Sequence, residues 1–290
     1  MNNTEKSFNE KWHNNSNLAF ENTLNENSDI FNWILNRNGF NTPSDLKIFL
    51  KTKSRILDAG CGNGRVTALL REYSDASTSE VVGIDLVAAD IAKTNLNKYS
   101  NTSFYKKNLL DDLSDLGLFD FIYCQEVLHH TDNPRKSFDN LVSLLKDGGE
   151  IAIYVYKEKA PIREFVDDFI REKIKHLSYE DALKHCRQIT EFGKVLSDSN
   201  IKINIPNVDL LEIQAGEYDL QRVFYHFFIK CFWNNEFSFE DNAVINYDWY
   251  HPQNCTRHTL NEIREWYTEN GLKINHEFVD YYGITLKGIK

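Results

Sequence analysis

Paired cysteines, long apolar runs and an excess of basic charge are all missing from this 290-residue chain. Its five cysteines (Cys61, Cys124, Cys186, Cys231 and Cys255) are an odd number with no CxxC pair, so no disulfide framework is set up. Free thiols in a reducing, cytoplasmic setting are expected. No stretch approaches the roughly 20 apolar residues that span a bilayer. The polar opening MNNTEKSFNE lacks the apolar core of a secretion signal, and no membrane association is expected. Lys and Arg number 33 against 43 Asp and Glu, a formal net charge of −10. Binding a polyanion draws most of its affinity from cations that neutralise phosphates, so no nucleic-acid partner is expected.

What is present is ordinary globular chemistry, 41% apolar and 26% charged. Residues 1–50 read as a helical leader whose Phe31, Ile34, Leu35, Ile48, Phe49 and Leu50 cover part of something larger. The pattern sharpens over residues 51–156. Strands are expected at Arg55–Asp58, Glu80–Asp85, Thr102–Lys106, Phe119–Cys124 and Glu150–Tyr156, with helices between them. The last of these helices opens on Pro134 and stops at Gly148-Gly149. Strands alternating with helices at this spacing indicate an α/β fold with a doubly wound, mostly parallel, Rossmann-like sheet.

Residues 157–257 read as a mostly helical insertion, expected to act as a lid. Its first helix carries Ile162, Phe165, Val166, Phe169, Ile170 and Ile174 at helical spacing. A densely aromatic helix is expected around Val223 to Trp233. Residues 258–290 supply a helix capped by Thr259 and Glu262, ending at Gly271, and two strands that complete the sheet. No internal repeat is evident.

The stretch Leu57-Asp58-Ala59-Gly60-Cys61-Gly62-Asn63-Gly64-Arg65 ends the first strand. Glycines there let the backbone turn tightly and approach a ligand, with a helix N-terminus aimed at it. The nicotinamide and flavin fingerprint is GxGxxG, whereas this chain has GxGxG with Arg65 at the third fingerprint position. Asp58 precedes the first glycine by two residues; a carboxylate there repels a pyrophosphate but pairs with an amino-acid ammonium. Asp85 ends the second strand, placed for ribose hydroxyls. A ligand with a ribose and an amino-acid end but no pyrophosphate is S-adenosylmethionine.

Residues 54–156 resemble class I S-adenosylmethionine-dependent methyltransferases, in particular the group similar to quinone-biosynthesis methyltransferases. The resemblance rests on the Ile56 to Gly64 motif, Val82-Gly83-Ile84-Asp85, Phe119-Asp120-Phe121-Ile122, Glu126-Val127-Leu128-His129-His130, and Leu144-Leu145-Lys146-Asp147-Gly148-Gly149. It implies that Gly60, Cys61 and Gly62 pack under the cofactor and that Asp85, with Leu86 beside it, holds the ribose. Cys124 and Gln125 would border the methionine end. Asn108 and Leu109 match the place near the adenine where the family usually has an acidic residue, so Asn108 is a departure.

Methyl transfer from a sulfonium needs mainly positioning, with a general base where the acceptor must lose a proton. His129 and His130 are candidates for that base, or else structural. Tyr154 and Tyr156 point to one face and either line the acceptor pocket or pack against it. Cys124-Gln125-Glu126-Val127 is not the Asn/Asp-Pro-Pro-Tyr/Phe motif of amide and adenine N-methyltransferases, and no Pro-Cys pair serves attack on a pyrimidine.

In the insertion, Arg163, Asp167 and Arg171 recur every four residues, as do Arg222, His226 and Lys230. Each stripe reads as a solvated face; the functional reading gives Arg163, Arg222 and His226 to an anionic acceptor. The aromatic Asp248-Trp249-Tyr250-His251-Pro252 segment is similar to stretches in methyltransferases of surface-glycan and natural-product pathways, which suits a sugar-like acceptor. His251, Cys255 and His258 have spacing that suggests zinc, but no fourth ligand is near and no metal is expected. The expected partner is a small-molecule acceptor, with a homodimer through the lid aromatics left open. Rival functions are a non-catalytic cofactor-binding subunit or sensor, a methyltransferase of RNA or protein, and a nucleotide-dependent oxidoreductase.

Overall fold

The structure, a computed structural model, describes residues 2–290. Four helices come first: α1 (Asn3–Asn14), α2 (Phe20–Leu24), α3 (Asp29–Arg37) and α4 (Pro43–Lys51). Ser28 caps α3 by accepting from Phe31 N. Thr42 and Asp45 form a reciprocal capping box on α4, with Pro43 in the first turn.

The core then runs β1 (Arg55–Ala59), α5 (Arg65–Tyr73), β2 (Glu80–Asp85), α6 (Ala89–Asn95), β3 (Thr102–Lys106), β4 (Phe119–Gln125), α7 (Pro134–Ser143) and β5 (Leu145–Tyr156). After it come α8 (Pro161–Ile174), α9 (Tyr179–Asp198), the strands β6 (Lys202–Ile205) and β7 (Gly216–Asp219), α10 (Leu220–Phe227) and α11 (Phe239–Tyr250). The chain closes with α12 (Leu260–Glu269), β8 (Lys273–Val279) and β9 (Gly283–Ile289).

Seven strands form one sheet in the order β3-β2-β1-β4-β5-β9-β8. β1 to β5 are mutually parallel, and β9 runs antiparallel between β5 and β8. Alternate residues of each strand feed two apolar layers. Leu57, Val82 and Ile122 pack with Phe138 of α7 and Ile263 and Trp266 of α12. Ile56, Val81 and Phe121 pack with Phe31 and Ile34 of α3, Leu50 of α4 and Leu69 of α5. The sheet is doubly wound as expected, and the leader helices supply much of one cover; Ile48, expected with them, is exposed.

Two compact units divide the chain. Trp12–Lys157 with Asn254–Lys290 holds the whole seven-stranded sheet. Met1–Lys11 with Glu158–Gln253 holds α8 to α11 and the β6–β7 hairpin. In this second unit Ser7 Oγ donates to Tyr247 Oη at 3.3 Å and Lys11 pairs with Asp248 at 2.5 Å, tying the first residues to α11.

Three local expectations are corrected. α7 stops at Ser143, and Gly148-Gly149 belongs to β5. There the register with β4 slips between Phe119 and Phe121, Gly148 takes φ +75°, and both glycines bond the main chain of Lys290. The aromatic helix ends at Phe227 instead of Trp233. The segment beyond it lies against α9, where a Cβ on Gly193 would stand 2.4 Å from Cys231 O. Its main chain is satisfied by side chains: Phe232 N donates to Asn246 Oδ1 and Asn234 N to Asn242 Oδ1.

Thirdly, α8 is turned inside out relative to its apolar pattern. Arg163 (1% exposed), Asp167 (1%) and Arg171 (6%) are buried, while Phe165 (78%) and Phe169 (59%) face solvent. Asp167 explains the inversion, since its carboxylate accepts from Arg163 Nε, Trp249 Nε1, Tyr250 Oη and Lys230 N. Four hydrogen bonds to a charged acceptor outweigh the burial of two phenyl rings. The second supposed solvated stripe is also largely internal, with His226 and Lys230 buried.

Candidate functional site

The strand order reverses between β1 and β4, and open α/β sheets bind ligands beyond the carboxyl ends of the strands at such a point. The glycine turn leaves β1 there. Gly60 has φ +85°, and a Cβ on it would stand 2.2 Å from Val127 of the loop after β4. Gly62 has φ +52°, and its Cβ would meet the Trp12 indole at 2.7 Å. Both positions therefore require glycine for conformation and for space. Gly60 N and Cys61 N both donate to Ile84 O, at 2.7 and 2.9 Å, stitching the turn to β2. Gly64 starts α5, whose first-turn N–H groups are partly spent within the protein, Arg65 N on Asn63 Oδ1 at 3.3 Å and the Thr67 main chain on Asp58.

Asp58 and Asp85 stand on either side of this turn. Asp58 is buried and accepts from Thr67 Oγ1 at 2.6 Å. Burial pushes its carboxyl up to about 7; the Thr67 bond opposes this and the Asp85 charge adds to it. Asp85 accepts from Gly62 N at 3.0 Å through Oδ2, and from Val87 N and Ala88 N at 2.8 and 2.9 Å through Oδ1. A carboxylate offers about four acceptor positions, so Asp85 keeps capacity for one more donor. Leu86 beside it is half-buried.

Asn108 uses Oδ1 to accept from Leu110 N at 3.0 Å, which leaves its amide N–H groups for a ligand edge. Leu109 and Cys124 are buried, and burial drives the Cys124 and Cys61 thiols up, so neither forms a thiolate readily. Gln125 ends β4, accepts from Tyr123 Oη, and has a buried Nε2 with no hydrogen-bond partner. Glu126 follows with φ +60°, an uncommon conformation for a non-glycine residue, and its carboxylate lies 3.5 Å from Arg65.

The two histidines are not equivalent. His129 is fully buried, stacks on Tyr156 with ring centroids 3.7 Å apart, and accepts from Tyr156 N through Nδ1 at 3.3 Å. Its neutral ring therefore carries the proton on Nε2 and is a donor there. His130 Nδ1 lies 2.7 Å from Asn254 O, and a carbonyl can only accept. The His130 proton is fixed on Nδ1, which makes Nε2 the basic nitrogen.

Tyr154 and Tyr156 end β5 with ring centroids 6.2 Å apart, and both are buried. Against Tyr154 sits a residue the sequence analysis missed. Arg37, at the end of α3, lays its guanidinium 3.4 Å from the Trp33 ring centroid and 4.0 Å from that of Tyr154. Its Nη2 pairs with Asp280 at 2.8 Å, while buried Nε and Nη1 have no acceptor. The only signal in the sequence was a Trp-x-x-x-Arg spacing at a helix end, which is common and carries no chemistry by itself.

Arg163, Arg222 and His226 lie in the other unit. Arg163 Nε pairs with Asp167 at 3.1 Å, and Arg222 makes a long 3.5 Å contact to Trp233 O and lies 5.5 Å from the Tyr225 ring centroid. His226 is pushed down to about 3 by burial, with Arg163, Arg222 and Lys159 adding to the effect. Trp249 and Tyr250 are buried donors to Asp167, which counts against their stacking on a sugar. His251 bonds Tyr247 Oη and Leu177 O, and His258 bonds Glu262 and Thr256, so each uses both ring nitrogens within the protein. Among the described residues no group of three His, Cys, Asp or Glu is placed to hold a metal ion, and no helix is long and apolar enough to cross a membrane.

Comparison with known proteins places these residues among relatives. The profile of a family described as a methyltransferase domain matches residues 26–203. An uncharacterised protein of Synechococcus sp. is 34% identical over 119 residues, 39% of this chain and 28% of that protein. A ubiquinone biosynthesis O-methyltransferase of Coxiella burnetii is 31% identical over 108 residues, 36% of this chain and 44% of its own length. The chain thus spans less than half of these first relatives. The ubiquinone biosynthesis O-methyltransferase of Rickettsia canadensis is 25% identical over 211 residues, covering 70% of this chain and 78% of that protein. Among solved structures, PKMT2 of Rickettsia typhi in complex with AdoHcy is 17% identical, covers 84% of this chain and 52% of that one, and has a TM-score of 0.55, which speaks for the fold alone.

Proposed function

Because the chain belongs to the family of class I S-adenosylmethionine-dependent methyltransferases, we propose that it transfers a methyl group from S-adenosylmethionine to a small anionic acceptor. The observation that carries the reading is Asp58, a carboxylate buried beneath the glycine turn that accepts from the Thr67 hydroxyl and main chain and has no ion-pair partner among the described residues. Such a group calls for a cation, and the ammonium of the cofactor's amino-acid end supplies one. The orphaned Gln125 Nε2 fits the carboxylate of the same end. Asp85 retains room for a ribose hydroxyl, and Asn108 for the adenine edge.

S-adenosylmethionine brings a methyl group already activated by its sulfonium, so the residues' main task is alignment. His130, in the loop after β4, is the candidate base for an acceptor that must lose a proton. Tyr154, its hydroxyl raised well above the ordinary range by burial, stays protonated and donates. Arg37, with two nitrogens that lack an acceptor, supports an anionic over a sugar-like acceptor. The ubiquinone-biosynthesis names of the relatives support a small molecule, and the net charge of −10 disfavours nucleic acid.

Calorimetric titration with S-adenosylhomocysteine, with NAD(H) in parallel, tests the reading. Binding of S-adenosylhomocysteine alone is expected, and Asp85→Ala should weaken it at least tenfold. Affinity unchanged by Asp85→Ala would remove the ribose assignment, and binding of NAD(H) alone would overturn the whole proposal.

A further inference from the structure

The unit containing Glu158–Gln253 gathers buried positive charge around one indole. Lys159 Nζ, the Arg163 and Arg171 guanidiniums and Lys230 Nζ stand 5.6, 5.2, 5.2 and 5.1 Å from the ring centroid of Trp249. All four residues are buried. A ring face attracts one cation usefully, but four around one indole repel each other at low dielectric. Asp167 lies among them, and its two oxygens are already taken by four donors.

The guanidiniums show where compensation is missing. Arg163 spends Nε on Asp167, but its buried Nη1 has no acceptor. Arg171 is less satisfied: among the described residues no carboxylate pairs with it, and its single hydrogen bond is a 3.4 Å contact from Nη1 to Pro252 O. Both Nε and Nη2 of Arg171, which form one edge of the planar fork, are buried without an acceptor. That edge is the one that grips a carboxylate or phosphate through two parallel bonds. An unpaired buried guanidinium is strongly unfavourable, and a helix that could have turned Phe165 and Phe169 inward buries it anyway. His226 reports the same field, being driven far below its ordinary range by burial and by Arg163, Arg222 and Lys159.

We propose that this unit binds an oxyanion, the phosphate or carboxylate of a small molecule, on the Nε–Nη2 edge of Arg171, with Arg163 Nη1 and Lys230 extending the site along Trp249. The site lies outside the cofactor-binding unit, and the inference does not rest on the methyltransferase reading.

The test uses the full chain, with thermal unfolding and calorimetric titration against inorganic phosphate, glucose 1-phosphate and citrate, each at matched ionic strength with a chloride control. Saturable binding of at least one probe is expected, with Trp249 fluorescence changing at the same midpoint. Arg171→Gln should weaken that binding tenfold or more. Arg171→Lys, which keeps the charge and loses the fork, should retain part of it. Without ligand, Arg171→Gln should melt no lower than the wild type, because it removes an uncompensated charge; a purely structural arginine would melt lower. Phosphate binding as tightly as glucose 1-phosphate identifies a free-phosphate site, and tighter glucose 1-phosphate binding identifies a phosphorylated metabolite. No saturable binding of any probe, or binding unchanged in Arg171→Gln, overturns the proposal. A parallel titration with S-adenosylhomocysteine keeps the two proposals separable, since either can fail while the other stands.

Discussion

Asp58 sits where burial and function pull in opposite directions. Its carboxyl is pushed up to about 7 in the folded chain, well above the ordinary aspartate range. A carboxylate with a raised folded pKa favours folding fully below its unfolded pKa, and that contribution is lost as pH rises through the folded one. Apo stability should therefore decline between about pH 4 and pH 7, and Asp58→Asn should remove the decline. At one pKa unit per about 1.4 kcal/mol, the gain at pH 8 has a ceiling of about 4 kcal/mol, read from chemical denaturation across pH. The same variant should bind S-adenosylhomocysteine about 10 to 100 times more weakly, because a charge-assisted contact to the ammonium is lost. In the wild type, acidification below pH 7 should weaken binding as Asp58 takes a proton. Asp58 and Asp85 could be singled out in the sequence because both flank a local glycine turn. Arg37 was not, because its partner Asp280 lies 243 positions away and only the folded sheet brings α3 over the end of β5.

Short elements that carry their own punctuation read true. The predicted spans of β2 and β3 match the structure, since each is a short parallel strand bounded by turn residues. α7 was overextended because a glycine pair reads as a helix stop, whereas here it relieves a slipped strand register. α8 was inverted because apolar spacing weighs each phenyl ring but not the four hydrogen bonds converging on Asp167. Two consequences are measurable on these elements. Gly60→Ala should cost about 2–4 kcal/mol in denaturant unfolding, since its Cβ meets Val127 at 2.2 Å with the backbone at φ +85°. Phe165→Glu, by contrast, should stay within about 0.5 kcal/mol of the wild type, because the ring is already in solvent. A reading based on the apolar stripe alone would have ranked these two in the opposite order.

For the whole molecule, charge is the property most plainly written in the sequence and least informative about where it acts. A net −10 predicts no gel shift with duplex DNA or single-stranded RNA at about 50 mM salt, and a shift there would reopen nucleic acid as a substrate. The same total conceals the cations gathered around Trp249, which only the fold assembles.

The antiparallel β9, lodged between β5 and β8, also sets a schedule for biosynthesis. β5 pairs with β9 from Glu150↔Ile289 to Tyr156↔Gly283, so the strand that ends at Tyr156 waits for a strand made much later in synthesis. On a ribosome, β1 to β5 can emerge and associate while β5 still exposes a long hydrogen-bonding edge of Ile151, Ile153 and Val155. That edge invites pairing with a neighbouring nascent chain until β9 slots in. A stop codon at Gly283 would leave every parallel strand intact and yet yield a chain that captures its neighbours. Its product should appear in inclusion bodies with the wild type still in the supernatant.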